Sequence, residues 1–94
     1  MQVIEMIREL LGRGKSEEAI KSVNESLSAK DTGDEQVALL LYYRGNAYRQ
    51  MGDYARALNS YLESMECNPD GPAAEAYRSL QEILQFYDKD RYNP

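Results

Sequence analysis

The chain reads as an all-α protein of five antiparallel helices, and three observations carry that reading. Apolar residues recur at helical spacing in five separate segments. The punctuation between them is Gly, Asn, Asp and Pro, which is turn chemistry rather than strand chemistry. A length of 94 residues, 43% of them apolar, suffices for one shared core but not for two independent ones.

In the first segment Val3, Ile7 and Leu10 share a stripe flanked by Ile4 and Leu11, and Gly12 to Gly14 supplies the residues that a helix C-terminus favours. Ser16 is placed to cap a second helix, which carries Ala19, Ile20, Val23 and Leu27 on one face and gives out in the polar loop Lys30 to Asp34. The third segment, from about Asp34 to Met51, opens on a Val-Ala-Leu-Leu-Leu-Tyr-Tyr run that imitates a buried strand. Its Ala and Leu content and the periodicity continuing through Ala47, Tyr48 and Met51 favour a helix. Apolar on several sides, this helix is expected in the middle of the stack, touching neighbours on both flanks. After Gly52 a fourth helix sets Tyr54, Ala57, Leu58, Tyr61, Leu62 and Met65 on one face, and Pro69 stops it. Pro72 suits the first turn of a fifth helix. There Ala76, Tyr77, Leu80, Ile83, Leu84 and Tyr87 form the apolar stripe, and Glu75, Arg78, Gln81, Glu82 and Gln85 the solvated side.

Composition removes several function classes. Eleven basic residues against sixteen acidic ones leave a net charge of −5, which repels phosphate backbones and anionic lipid headgroups, so neither nucleic acid nor a membrane surface is an expected partner. Met1 to Leu11 is interrupted by Glu5, Arg8 and Glu9 and does not read as a signal peptide. The longest apolar run, Val37 to Tyr43, falls far short of the ~20 residues of a transmembrane helix, and a cytoplasmic location is the resulting expectation. No histidine is present, which excludes Cys/His zinc sites and Ser-His-Asp or Cys-His catalysis. The single cysteine, Cys67, has no internal disulfide partner and is read as a buried packing thiol. Glu17/Glu18 and Asp88/Asp90 are read as solvated acids rather than metal ligands or acid-base pairs. With no Gly-rich phosphate loop either, the chain is expected to be no enzyme and to carry no cofactor and no metal.

Between Leu41 and Pro69 the sequence presents Leu41, Gly45, Tyr48, Ala57, Tyr61 and Pro69 in the order and spacing W-x2-L-G-x2-Y, A-x3-F, P, with Arg44 standing where that pattern has Leu. In this it resembles a tetratricopeptide repeat. Gly45 and Ala57 are small residues on opposite arms of a hairpin, expected to face one another and let two helix backbones approach closely. A degenerate first copy is visible in Gly14-Lys15-Ser16-Glu17-Glu18-Ala19 beside Gly52-Asp53-Tyr54-Ala55-Arg56-Ala57. The two copies are offset by 57 − 19 = 38 residues, four more than the usual 34, and the extra residues are placed in the loop around Asp31 to Asp34. The resemblance implies a single domain over residues 1–94, a right-handed superhelix made of a degenerate repeat at 1–33, a second repeat at 34–71, and a capping helix and tail at 72–94.

Stacks of this family bind partners along the concave face formed by the first helix of each repeat. The resemblance therefore implies a non-enzymatic interaction module holding a protein or peptide partner against Arg8, Leu39, Tyr42, Asn46, Arg49 and Gln50, with Arg78 added by the terminal helix. One branch of the family grips the C-terminal carboxylate of chaperone tails with Lys, Asn and Arg. Here Asn46 occupies one matching place, but Ile4 and Tyr43 stand where that clamp needs Lys and Asn, so that ligand is not expected. The rival expectation is an assembly protein acting as a weak homodimer through Val37 to Tyr43 or through the cap helix. The aromatic end of the chain, Phe86, Tyr87 and Tyr92, is expected to fold back over that helix.

Overall fold

Among the described residues five helices follow one another: α1 (Gln2–Gly12), α2 (Ser16–Leu27), α3 (Asp34–Gln50), α4 (Tyr54–Cys67) and α5 (Ala73–Tyr92). The computed structural model describes residues 2–29 and 33–92, with side chains described through residue 86, and no strand occurs among the described residues. Both hairpins turn on the same device. Gly14 and Gly52 adopt φ of +75° and +81°, a conformation that costs glycine nothing. Around them the amides of Lys15 and Asp53 donate to the carbonyls of Leu10 and Tyr48 at 2.8 and 2.9 Å, and the glycine amides donate to Leu11 and Arg49 at 3.0 Å. This is one Schellman closure made twice, so the repeat read in the sequence is also a repeat in hydrogen bonding.

The next residue separates the two copies. Asp53 caps α4, its side chain accepting from the Arg56 amide at 3.2 Å and pairing with the Arg56 guanidinium at 3.1 Å. In the first copy the same position is Lys15, which has no side chain able to cap. Ser16, expected as the cap, is instead the first helical residue; it is buried, and its hydroxyl donates to Gln50 Oε1 at 2.7 Å. Pro72 likewise sits one residue before α5 rather than inside its first turn, its carbonyl accepting from the Ala76 amide.

α3 is the shared wall between two hydrophobic clusters. On one side Leu40 and Ala47, with Tyr43 half-buried, meet Ile7, Leu11, Ala19 and Val23 of the first hairpin. On the other, Tyr42 and Tyr48 pack against Ala57 and Tyr61 of α4 and Ala73 and Leu80 of α5. A helix buried on two sides must be apolar nearly all round, which is why its opening run resembles a strand.

The face α4 turns to α3 is rotated from the expected one. Ala57, Ser60, Tyr61 and Ser64 are buried, whereas Tyr54 and Leu62 are exposed. Small hydroxyl residues pack closely and find polar partners: Ser64 Oγ donates to the Ala38 carbonyl at 2.6 Å, and Ser60 Oγ accepts from Arg44 Nε at 3.0 Å. Arg44, the departure from the family pattern, also reaches Asn24 of α2 at 3.2 Å and Glu63 of α4 at 2.6 Å. One guanidinium therefore ties three helices where the repeat pattern has an apolar Leu. Gly45 matters for a reason other than the one its pairing with Ala57 suggested. The atoms nearest a Cβ built there are ring atoms of Tyr61, and they would overlap it. The glycine makes room for an aromatic ring. In α5, Ala73 and Leu80 are buried, but Ile83 is exposed, and the Tyr87 and Tyr92 side chains lie outside the described ones. Cys67, expected to be buried, ends α4 half-buried.

Candidate partner-binding groove

Between α1 and α3 runs an open groove of about 440 Å³ lined by Arg8, Leu11, Tyr43, Asn46, Arg49 and Gln50. Between α3 and α5 runs another, of about 280 Å³, lined by Tyr42, Arg49, Pro72, Glu75, Ala76 and Ser79. Helical periodicity explains the first set. On α3, positions 43, 46, 49 and 50 fall on one face, and on α1 Leu11 follows Arg8 by three residues. Arg49 belongs to both grooves, so the face formed by α1, α3 and α5 is continuous across it.

Five of the seven residues expected in the groove, Arg8, Tyr42, Asn46, Arg49 and Gln50, line one or both of these depressions. Leu39 is half-buried on α3 and lines neither, and Arg78 is exposed while Glu75, Ala76 and Ser79 face α3 instead. Sequence reasoning passed over Tyr43 and Leu11, which form the apolar wall of the α1–α3 groove. The available signal was their position one turn from Asn46 and from Arg8. Much of the Val37 to Tyr43 run, the suggested dimer contact, is used inside the chain: Ala38, Leu40 and Leu41 are all buried.

Behind the groove lies a polar chain. The Tyr61 side chain is fully buried and its hydroxyl donates to Asn46 Oδ1 at 2.6 Å. Tyr42 packs on the same ring at 6.1 Å and on Tyr43 at 5.1 Å. Burial raises the Tyr61 pKa above its ordinary value of 10.0, and the nearby Arg49 guanidinium opposes that shift by hydrogen bonding and by charge. Gln50 works as a clip between hairpins. Its Oε1 accepts from Ser16 and its Nε2 donates to the Leu11 carbonyl at 2.9 Å, a second hydrogen bond to an oxygen that already accepts from the Gly14 amide. Neither Arg8 nor Arg49 is in an ion pair among the described residues, where the paired cations are Arg13, Lys15, Arg44 and Arg56.

No cluster of potential metal ligands occurs among the described residues, and no helix there is long and apolar enough to cross a membrane. Comparison with known proteins agrees with the hairpin geometry. The Tetratricopeptide repeat family profile matches residues 38–70. That match starts at Ala38 while α3 starts at Asp34, a difference of 38 − 34 = 4 residues. Residues 31 and 32 of the loop in which the four extra residues are expected lie outside the described ones. No curated protein matches the chain. Among solved structures, the solution NMR structure of a Bacteroides fragilis protein is similar, with a TM-score of 0.85 and 40% sequence identity over 99% of this chain and 91% of that one. A repeat match on the second hairpin, an identically closed first hairpin and this similarity over nearly the whole chain to a small helical protein make this a tetratricopeptide-type protein.

Proposed function

We propose that the protein is a non-catalytic interaction module that holds a peptide or helix of a protein partner along the face formed by α1, α3 and α5. Members of the tetratricopeptide repeat family generally mediate protein-protein interaction. The observation that carries the reading here is the pair of adjoining grooves meeting at Arg49. They are open, which suits a segment laid along the surface rather than an enclosed substrate. Arg8, Tyr42, Asn46 and Arg49 are the proposed contact residues; Gln50, whose amide is engaged on both sides, contributes its position more than its hydrogen bonds.

The test is an affinity pull-down from the native host with the wild-type protein beside Asn46→Ala/Arg49→Glu. A partner recovered by the wild type and lost by the double variant supports the groove, provided that the variant melts as the wild type does. Equal recovery by both moves the binding face elsewhere.

A further inference from the structure

Asn46 and Gln50 stand one turn apart on α3, and both line the α1–α3 groove. Each of these amides is held by a hydroxyl that belongs to the second helix of a hairpin. Tyr61 of α4 donates to Asn46 Oδ1 at 2.6 Å, and Ser16 of α2 donates to Gln50 Oε1 at 2.7 Å. Both donors are buried, and neither lines the α1–α3 or the α3–α5 groove. The two hairpins thus repeat one arrangement, in which a hydroxyl behind the groove fixes an amide at its surface. The Tyr61 ring is itself fixed, by the space at Gly45 and by Tyr42 packed on it at 6.1 Å. With the Tyr61 side chain at 0% exposure no water can take its proton, so a rotamer that turned Asn46 away would strand a buried donor. Gln50 is held twice, by Ser16 and by the Leu11 carbonyl. A surface amide with no such partners samples several rotamers and has to be ordered when another molecule binds, which weakens the complex.

On the groove reading above, we propose that Tyr61 is a positioning residue for the interaction: its hydroxyl sets Asn46 in one rotamer before the partner arrives, as Ser16 sets Gln50. The partner meets the two amides and never the two hydroxyls. Tyr61 acts through Asn46 alone, so its hydroxyl matters to binding only while Asn46 is present.

The first measurement is made on the free full chain, by 15N relaxation of the side-chain amides. In the wild type Asn46 Nδ2 and Gln50 Nε2 should both approach the order of a rigid backbone, about 0.8, with the exposed Asn59 amide as the mobile reference. Tyr61→Phe keeps the ring beside Gly45 and should bring Asn46 below about 0.6, leaving Gln50 and the α3 backbone unchanged. Ser16→Ala should loosen Gln50 and leave Asn46 unchanged. A general loss of packing would move both amides and the backbone together. Asn46 as mobile as Asn59 in the wild type, or no looser in Tyr61→Phe, would overturn the proposal. The second measurement is the pull-down described above, quantified by mass spectrometry. Tyr61→Phe should retain about threefold less of the partner that the wild type recovers, the effect of one side chain left to be ordered on binding. In an Asn46→Ala background the same change should make no difference. A partner held equally by Tyr61→Phe and lost by Asn46→Ala/Arg49→Glu would overturn the positioning role and leave the groove reading intact. A partner indifferent to that double variant would overturn the groove reading, and with it any part for Tyr61 in binding, whatever the amide dynamics.

Discussion

Tyr61 is the residue on which packing and site meet, because its ring fills the space that Gly45 leaves and its hydroxyl orients Asn46. Gly45→Ala should gain up to about 1 kcal/mol of helix propensity and lose about 1–3 kcal/mol to the forced displacement of a buried ring, a net loss read as a lower urea midpoint. In a Tyr61→Leu background the same change should become neutral or stabilising, since the overlap is gone. A sign that stays negative in that background would show that Tyr61 is not the constraint. The same side chain predicts an alkaline effect. Its folded pKa is raised above 10.0 by burial, so in strong base the unfolded chain has released a proton that the folded chain still holds. This contribution to stability is fully present below pH 10 and is lost as pH climbs through the raised value. Denaturation midpoints measured between pH 9 and pH 11 should fall less steeply in Tyr61→Phe than in the wild type.

At the scale of elements, the two hairpins share a turn but not a cap. Lys15 has φ −89° and ψ 66°, close to the φ −90° and ψ 79° of Asp53, yet it leaves the start of α2 without a side-chain acceptor. Lys15→Ser would create Ser-Ser-Glu-Glu, with Glu18 three residues after the new cap, and should stabilise by about 0.5–1 kcal/mol. A thermal melt no higher than wild type would count against the missing cap as a weakness. Between elements, Arg44 is the main polar tie. Arg44→Ala should cost about 2 kcal/mol in a denaturant titration because it strands the buried Ser60 hydroxyl and removes the links to Asn24 and Glu63. Glu63→Gln should cost under about 1 kcal/mol, since Glu63 is half exposed and its ion pair is screened.

At the scale of the whole molecule, stability depends on α5. Ala73 and Leu80 complete the cluster around Ala57 and Tyr61, and without them Leu58, Met65 and Tyr48 lose their cover. Two helical hairpins are fewer than a repeat stack ordinarily needs, so a chain ending at Gly71 should lose cooperative melting and aggregate. Circular dichroism with light scattering reads both properties, and a soluble monomer that still melts in one transition would refute the capping role. The molecule measures 52 × 28 × 17 Å, about two helices thick. That flatness leaves one side of α1, α3 and α5 facing outward as grooves.

Local chemistry in the sequence was enough for the helix count, the two glycine turns, the central place of α3 and the repeat match, because periodicity and turn residues act within one or two turns of helix. It was also enough for most of the groove face, since Asn46, Arg49 and Gln50 follow from spacing on one helix once neighbours are assigned. Tertiary contact decided the rest. That Ser16 serves Gln50 rather than capping its own helix depends on a residue thirty-four positions away. That Arg44 replaces an apolar contact with a three-helix tie depends on Asn24, Ser60 and Glu63 converging on it. The orientation of the Asn46 amide is of the same kind. The sequence does not say which end of that amide is engaged within the fold, and it is the Tyr61 hydroxyl, brought up from α4, that takes its oxygen.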